Sequence, residues 1–170
     1  MTQFQIKRLV SGGIITNYFC TSRCRHCLYN CSPHRGKGYI DSETGAETFR
    51  LVRRLGCTSV HIGGGEPLLR PDKLGKILQI AADSGVAVEY VETNASWFKD
   101  IESATATLSN LRRKGLRTLL VSISPFHNEF ISFSRTKGVM AAAGRAGMGV
   151  FPWIDDFVTD LSRLDPDKTH

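Results

Sequence analysis

Apolar positions along the chain alternate between two patterns. Short runs rich in β-branched residues occur at residues 11–19, 58–62, 86–91, 117–123 and 149–154, and helix-like stretches separate them. The first pattern predicts strands, and apolar residues three and four apart predict helices. Ala46, Phe49, Val52 and Leu55 lie on or near one side of a helix predicted over residues 42–55, with Ser42 as its N-cap and Gly56 as its stop. Leu74, Ile77, Leu78 and Ala81 mark a second helix, which opens at Pro71-Asp72 and stops at Gly85. Ile101, Ala104, Leu108 and Leu111 mark a third, from about Asp100 to Gly115. Residues 136–145 and 156–164 predict two more.

Repeated strand–helix–strand units imply parallel strands joined by right-handed crossovers. The expected class is α/β, a partial parallel (β/α) barrel of about five βα units. A closed eight-unit barrel needs about 250 residues, and the chain has 170. One domain is expected over residues 1–170, with its core at about 9–155 and a frayed tail at 165–170.

Composition narrows the class. An apolar share of 41% and a charged share of 22% exclude an intrinsically disordered chain. No apolar run is long enough to cross a bilayer as a helix. The first ten residues lack the apolar centre of a signal peptide, so a cytoplasmic location is expected. The net charge of +6 is scattered rather than striped. Arg53-Arg54 and Arg112-Arg113-Lys114 sit at the ends of predicted helices, where positive charge suits the helix dipole. No basic stripe interleaved with aromatics signals nucleic-acid binding.

Cysteine spacing carries the chemistry. Cys20, Cys24, Cys27 and Cys31 fall close together, and Cys57 stands apart. Thiols kept reduced in a cytoplasmic protein point to metal binding or redox work. Three thiolates from one loop can grip an iron–sulfur cluster and leave one iron without a protein ligand. A zinc site completed by Cys31, His26 or His34 fits the same spacing. Ligands of parallel α/β folds bind at the C-terminal ends of strands. The unusual residues fall there: the cysteines after the first strand, Gly64-Gly65-Glu66-Pro67 after the second, Thr93-Asn94 after the third, and Ser122 and Ser124 at the end of the fourth.

Cys20-Thr-Ser-Arg-Cys24-Arg-His-Cys27 resembles the CxxxCxxC signature of radical S-adenosylmethionine (radical SAM) enzymes, and Gly64-Gly65-Glu66-Pro67 resembles their GGEP motif. Thr93-Asn94 and Val121-Ser122-Ile123-Ser124 are similar to the third and fourth strand endings of that family. The resemblance implies a [4Fe-4S] cluster on Cys20, Cys24 and Cys27, with the fourth iron chelated by S-adenosylmethionine (SAM). It implies that His26 packs near the adenine and that Gly64, Gly65 and Glu66 meet the methionine amino group. Thr93, Asn94, Ser122 and Ser124 would line the bound SAM, with Ser124 standing where relatives often carry Asp. Reductive cleavage would yield a 5′-deoxyadenosyl radical that abstracts hydrogen from an unknown substrate. A flavodoxin- or ferredoxin-like electron donor is implied as well. The family's partial barrel usually has six units. Five here imply that the sixth is lost, lies beyond this sequence or comes from a partner, leaving the fifth strand as an edge open to pairing.

Competing readings are a non-catalytic iron–sulfur remnant and a zinc-stabilised binding module. Cys31 reads as a stray loop thiol, a zinc ligand or a substrate-side ligand. Cys57 reads as a small core residue, and His61 as a hydrogen-bonded structural histidine. Tyr29, His34 and Arg35 read as shielding for the cysteine loop. His127 and Glu129 read as a solvated loop or as substrate contacts. Phe151 and Trp153 read as core or adenine wall, and Trp97 as a cover for the third helix start.

Overall fold

The computed structural model describes residues 7–152 and 154–170. Five strands form one parallel sheet in sequential order: β1 (Gly13–Ile15), β2 (Ser59–Gly63), β3 (Ala87–Thr93), β4 (Thr118–Val121) and β5 (Gly149–Pro152). Each strand pairs in parallel with the next, and the register of β2 against β3 shifts once, between Val60 and Ile62. Helices α1 (Ser42–Arg54), α2 (Pro71–Asp83), α3 (Ile101–Arg113), α4 (Pro125–Asn128), α5 (Phe133–Arg145) and α6 (Asp156–Leu161) fill the connections. These are the five βα units of an open partial barrel.

The sheet buries one face against the helices. Val60, Ile62, Val91, Leu119 and Val121 point from alternate strand positions into a core shared with Phe49, Leu74, Ile77, Leu108 and Val139. α1 packs on α2 and α3 on α5, giving one helical layer. The opposite face carries His61, which stacks on Tyr90 with ring centroids 5.1 Å apart and stands 3.8 Å from the Glu92 carboxylate. Among the described residues no helix is long and apolar enough to cross a membrane.

Several boundaries differ from the sequence expectation, each for a local reason. β1 ends at Ile15 rather than at residue 19. Thr16 N–H still donates to Gly63 O at 3.0 Å, and from Asn17 on the chain bonds to the glycine turn after β2: Gly65 N–H donates to Asn17 O at 2.8 Å and Glu66 N–H to Phe19 O at 3.1 Å. Asp41, not Ser42, caps α1, because its carboxylate accepts the Thr44 N–H at 2.8 Å. α5 starts at Phe133, three residues before the apolar periodicity becomes visible. Pro125–Asn128, expected as loop, forms one helical turn capped by the Ser124 hydroxyl. β5 ends at Pro152 and α6 at Leu161, both earlier than expected. Phe151 is not in the core: it is 38% exposed, with its ring edge on to Tyr90. Trp153 lies outside the described residues. The tail at 165–170 turns back onto the fold, where Pro166 O accepts the Ser134 N–H at 2.7 Å and Asn128 O accepts the His170 N–H at 3.2 Å.

Candidate functional site

The C-terminal ends of β1 to β4 open on one cavity of about 460 Å³. It gathers Cys20, Cys24, Cys27 and His26 from the first connection, Gly64 and Gly65 from the second, Thr93 and Asn94 from the third, and Ser122 and Ser124 from the fourth. Every residue that the motifs assign to the site lines this cavity, except Glu66.

The cysteine segment is a chain of tight turns. Cys27 N–H donates to Cys24 O at 3.1 Å and Asn30 N–H to Cys27 O at 3.2 Å. Asn30 adopts φ +49°, a left-handed conformation that Asn tolerates better than most residues. The segment is pinned at its base by Cys20 N–H on Ser32 O at 3.3 Å. Its outer end is clasped to α4. There the His26 ring lies 4.8 Å from both the Phe126 and His127 rings, and Arg25 pairs with Glu129. His26 therefore packs on this aromatic pair. His127 lines the cavity and shares a 2.7 Å hydrogen bond between its Nδ1 and Ser124 Oγ. Burial pushes its imidazole down to about 4, and the neighbouring His26 adds to the effect, so it is neutral at physiological pH. Glu129 is engaged by Arg25 rather than presented to the cavity.

All five cysteines are free thiols. Burial is the main force raising Cys20 to about 11 and Cys24 to about 12, and in Cys24 the neighbouring thiols Cys20 and Cys27 add repulsion. Thiols crowded in this way gain most from a cationic metal centre, which holds them as thiolates. The donor set and the cavity beside it suit the [4Fe-4S] cluster that the family uses. Among the described residues no three His, Cys, Asp or Glu side chains gather closely enough to hold a metal ion at one point. Cys31 is 4% exposed, lines the same cavity, and gives its backbone N–H to Cys27 Sγ at 3.4 Å. Cys57 is 1% exposed and belongs to the core.

The turn after β2 needs its glycines. Gly64 has φ +144°, a value side chains rarely adopt. A Cβ on Gly65 would lie 2.0 Å from the Phe19 carbonyl oxygen.

Glu66 sits behind the cavity wall. Its side chain is fully buried. The carboxylate accepts the Leu68 N–H at 2.9 Å, the Asn94 N–H at 2.6 Å and the Thr93 hydroxyl at 3.1 Å. It thus ties the glycine turn to the end of β3. Burial pushes this carboxyl up to about 7, against the lowering effect of those donors. A folded-state value above the unfolded 4.5 means that the group stabilises the fold fully below about pH 4.5 and progressively less as pH rises through 7. Chemical denaturation from about pH 5 to about pH 8 should show up to about 3 kcal/mol of stability lost through this group. Glu66→Gln should flatten that slope while costing about 1–3 kcal/mol, because an amide NH₂ must face N–H donors.

Glu92 is a cavity residue that the sequence motifs do not single out. Among the described residues that line the cavity it is the only carboxylate. It sits one position before Thr93, at the C-terminal end of a parallel strand, which was the available signal. Its carboxylate rests against the backbone of Gly63, where a Cβ would come within 2.8 Å of Oε2. Burial raises its carboxyl above the usual range, and His61 opposes the shift. Phe126, Ile154 and Leu28 complete an apolar rim, with Leu28 92% exposed.

Comparison with known proteins adds several likenesses. The Radical SAM superfamily profile matches residues 14–149. A GTP 3′,8-cyclase of Rhodopirellula baltica is 29% identical over 128 residues, 70% of this chain and 34% of that protein. One of Aquifex aeolicus is 30% identical over 115 residues, 65% of this chain and 33% of that protein. The chain thus spans about a third of the length of the curated relatives it matches. Among solved structures, anSMEcpe with bound AdoMet superposes with a TM-score of 0.65 at 15% identity, covering 85% of this chain and 43% of that one. Methylornithine synthase (PylB) gives 0.63 at 20% identity, covering 86% and 44%. At these identities the two structures establish a common fold.

Proposed function

The chain belongs to the radical SAM superfamily, and from that membership we propose that it holds a [4Fe-4S] cluster on Cys20, Cys24 and Cys27 and binds SAM in the adjoining cavity. One observation carries the reading: the three cysteines, the Gly64-Gly65 turn, Asn94 and Ser122 all open on the same cavity. When bound and reduced by one electron, the cluster supplies the chemistry that splits SAM into methionine and a 5′-deoxyadenosyl radical able to abstract hydrogen. The protein supplies position and electrostatics.

Its residues divide that work. The bare backbone of Gly64 and Gly65 lets a ligand approach closely. Glu92 takes the part that the motif suggests for Glu66, presenting a carboxylate to a cationic group of the ligand. Ser122 lies with Asn94 and Ser124 on the cavity wall and offers a hydroxyl. The neutral His127, held by Ser124, adds no charge beside the cysteines. The apolar rim of Leu28, Phe126 and Ile154 limits water at the mouth. The electron comes from a low-potential donor of the flavodoxin or ferredoxin kind. GTP is not carried over from the relatives: among the described residues lining the cavity none is Lys or Arg, the usual partners of a triphosphate.

Anaerobic reconstitution tests the reading. The expected product is a brown protein with about four iron and four sulfide per chain, the content of one cluster. With dithionite and SAM it should release 5′-deoxyadenosine and methionine. Colourless, zinc-loaded protein, or a cluster-bearing protein that leaves SAM intact, overturns it. Glu92→Gln should keep the iron content and weaken SAM binding about tenfold or more, since a hydrogen bond to a charged group contributes about 1.5–3 kcal/mol. Equilibrium dialysis with the unreduced protein measures this without turnover.

A further inference from the structure

The family resemblance turns Asn94 toward bound SAM, but its side chain is committed elsewhere. The Nδ2 amide group lies 3.2 Å from Cys20 Sγ and 3.4 Å from Ser22 Oγ. The orientation of the amide follows from its other end, where Oδ1 accepts the Ser96 N–H at 2.9 Å, so Nδ2 is the atom turned to the sulfur. The backbone of the same residue is fixed by its N–H on Glu66 Oε2 at 2.6 Å. The next residue, Ala95, sits at φ +67° and gives its N–H to Thr93 Oγ1 at 3.1 Å, closing a tight turn around the amide. Asn94 and Cys20 are both 6% exposed, so little water reaches the contact.

The cysteine sulfurs are not served equally. Cys20 Sγ accepts from the Ser22 backbone at 3.4 Å as well as from Asn94, and Cys27 Sγ accepts from the Cys31 backbone at 3.4 Å. Cys20 thus collects a side-chain amide donor from Asn94 beside its contacts with the Ser22 backbone and hydroxyl.

Resting on the cluster reading above, we propose that Asn94 is a positioning residue that sets the reduction potential of the cluster through an N–H···S hydrogen bond to Cys20. Hydrogen bonds to the ligating sulfurs are one of the levers on iron–sulfur potentials. One-electron reduction adds negative charge that spreads onto the cysteine sulfurs. A donor fixed on one sulfur stabilises the reduced form more than the oxidised form, which raises the potential. The turn at 93–96 holds the donor in place before the electron arrives, so no reorganisation is needed.

The test is an EPR-monitored redox titration of the anaerobically reconstituted full chain, comparing wild type with Asn94→Ala and Asn94→Asp. Both variants should become harder to reduce, by up to about tenfold in the one-electron equilibrium, or ~59 mV. Asn94→Asp should shift further, because it replaces a donor with a negative oxygen. Iron and sulfide content should match wild type. Unchanged potentials in cluster-replete variants overturn the proposal. If neither variant assembles a cluster, wild type labelled with [¹⁵N]asparagine decides: pulsed EPR of the reduced protein should show ¹⁵N hyperfine coupling, and its absence overturns the proposal. A wild type that binds no cluster sinks the family-based function instead, so the two failures are told apart.

Discussion

Replacing Gly65 by Ala should abolish SAM binding and destabilise the fold at once. The new Cβ would lie 2.0 Å from the Phe19 carbonyl oxygen, with the Phe19 carbonyl carbon at 2.5 Å. That oxygen cannot move aside cheaply, because it accepts the Glu66 N–H and so fixes the start of the cysteine segment against the turn. Overpacking in a rigid site costs about 1–3 kcal/mol and sometimes more, and a clash against backbone belongs at the upper end. For a chain of this size about 3 kcal/mol lowers Tm by roughly 6–12 °C. Gly144→Ala is the natural control. Gly144 lies near the end of α5, and a methyl added there would meet nothing within 4 Å, so Ala should stabilise by about 0.5–1 kcal/mol. Thermal denaturation and SAM dialysis of the two variants check both halves. A Gly65→Ala protein that binds SAM like wild type would refute the packing argument.

The second large effect concerns the thiols. Cys24→Ala should leave a protein that cannot retain its cluster and releases no 5′-deoxyadenosine above background. In the proposed cluster site Cys24 is the middle ligand, so losing it leaves two thiolates rather than three. Cys20→Ala and Cys27→Ala should behave alike. Cys31→Ala should keep its iron, because the backbone N–H donor to Cys27 Sγ survives the substitution even as the thiol contact is lost. Cys57→Ala should also keep its iron, since that thiol sits in the core. Iron and sulfide analysis with the visible spectrum measures all five variants. Loss of metal from Cys31→Ala would instead favour a four-thiolate zinc site.

The secondary structure was readable because the apolar period changes cleanly between strand and helix. Phe49 and Val52, or Leu74, Ile77 and Leu78, can be buried together only on a helix, and the structure buries all five. The site's position was readable for a topological reason: parallel strands bring their C-terminal ends to one edge, so motifs far apart in sequence meet there. Hydrogen bonding across elements was not readable. Glu66 looks like a cavity residue from its place beside two glycines, yet the buried donors of Leu68, Thr93 and Asn94 draw its carboxylate inward. Glu92 looks like an ordinary strand residue until the bare Gly63 gives its carboxylate room. β1 was overestimated because residues 17–19 have strand-like composition, whereas the backbone carbonyls of Asn17 and Phe19 bond to a turn rather than to a neighbouring strand.

That last pairing has a mechanical consequence. The stretch from Asn17 to Cys20 is stitched by backbone bonds to Gly65 and Glu66, and Glu66 is stitched in turn to Asn94. The cysteine segment and the glycine turn are therefore two sides of a single seam, not two modules that happen to touch. Damage along the seam costs both occupants together. The outer clasp, where Arg25 meets Glu129 and His26 meets Phe126, can loosen while the seam stays shut.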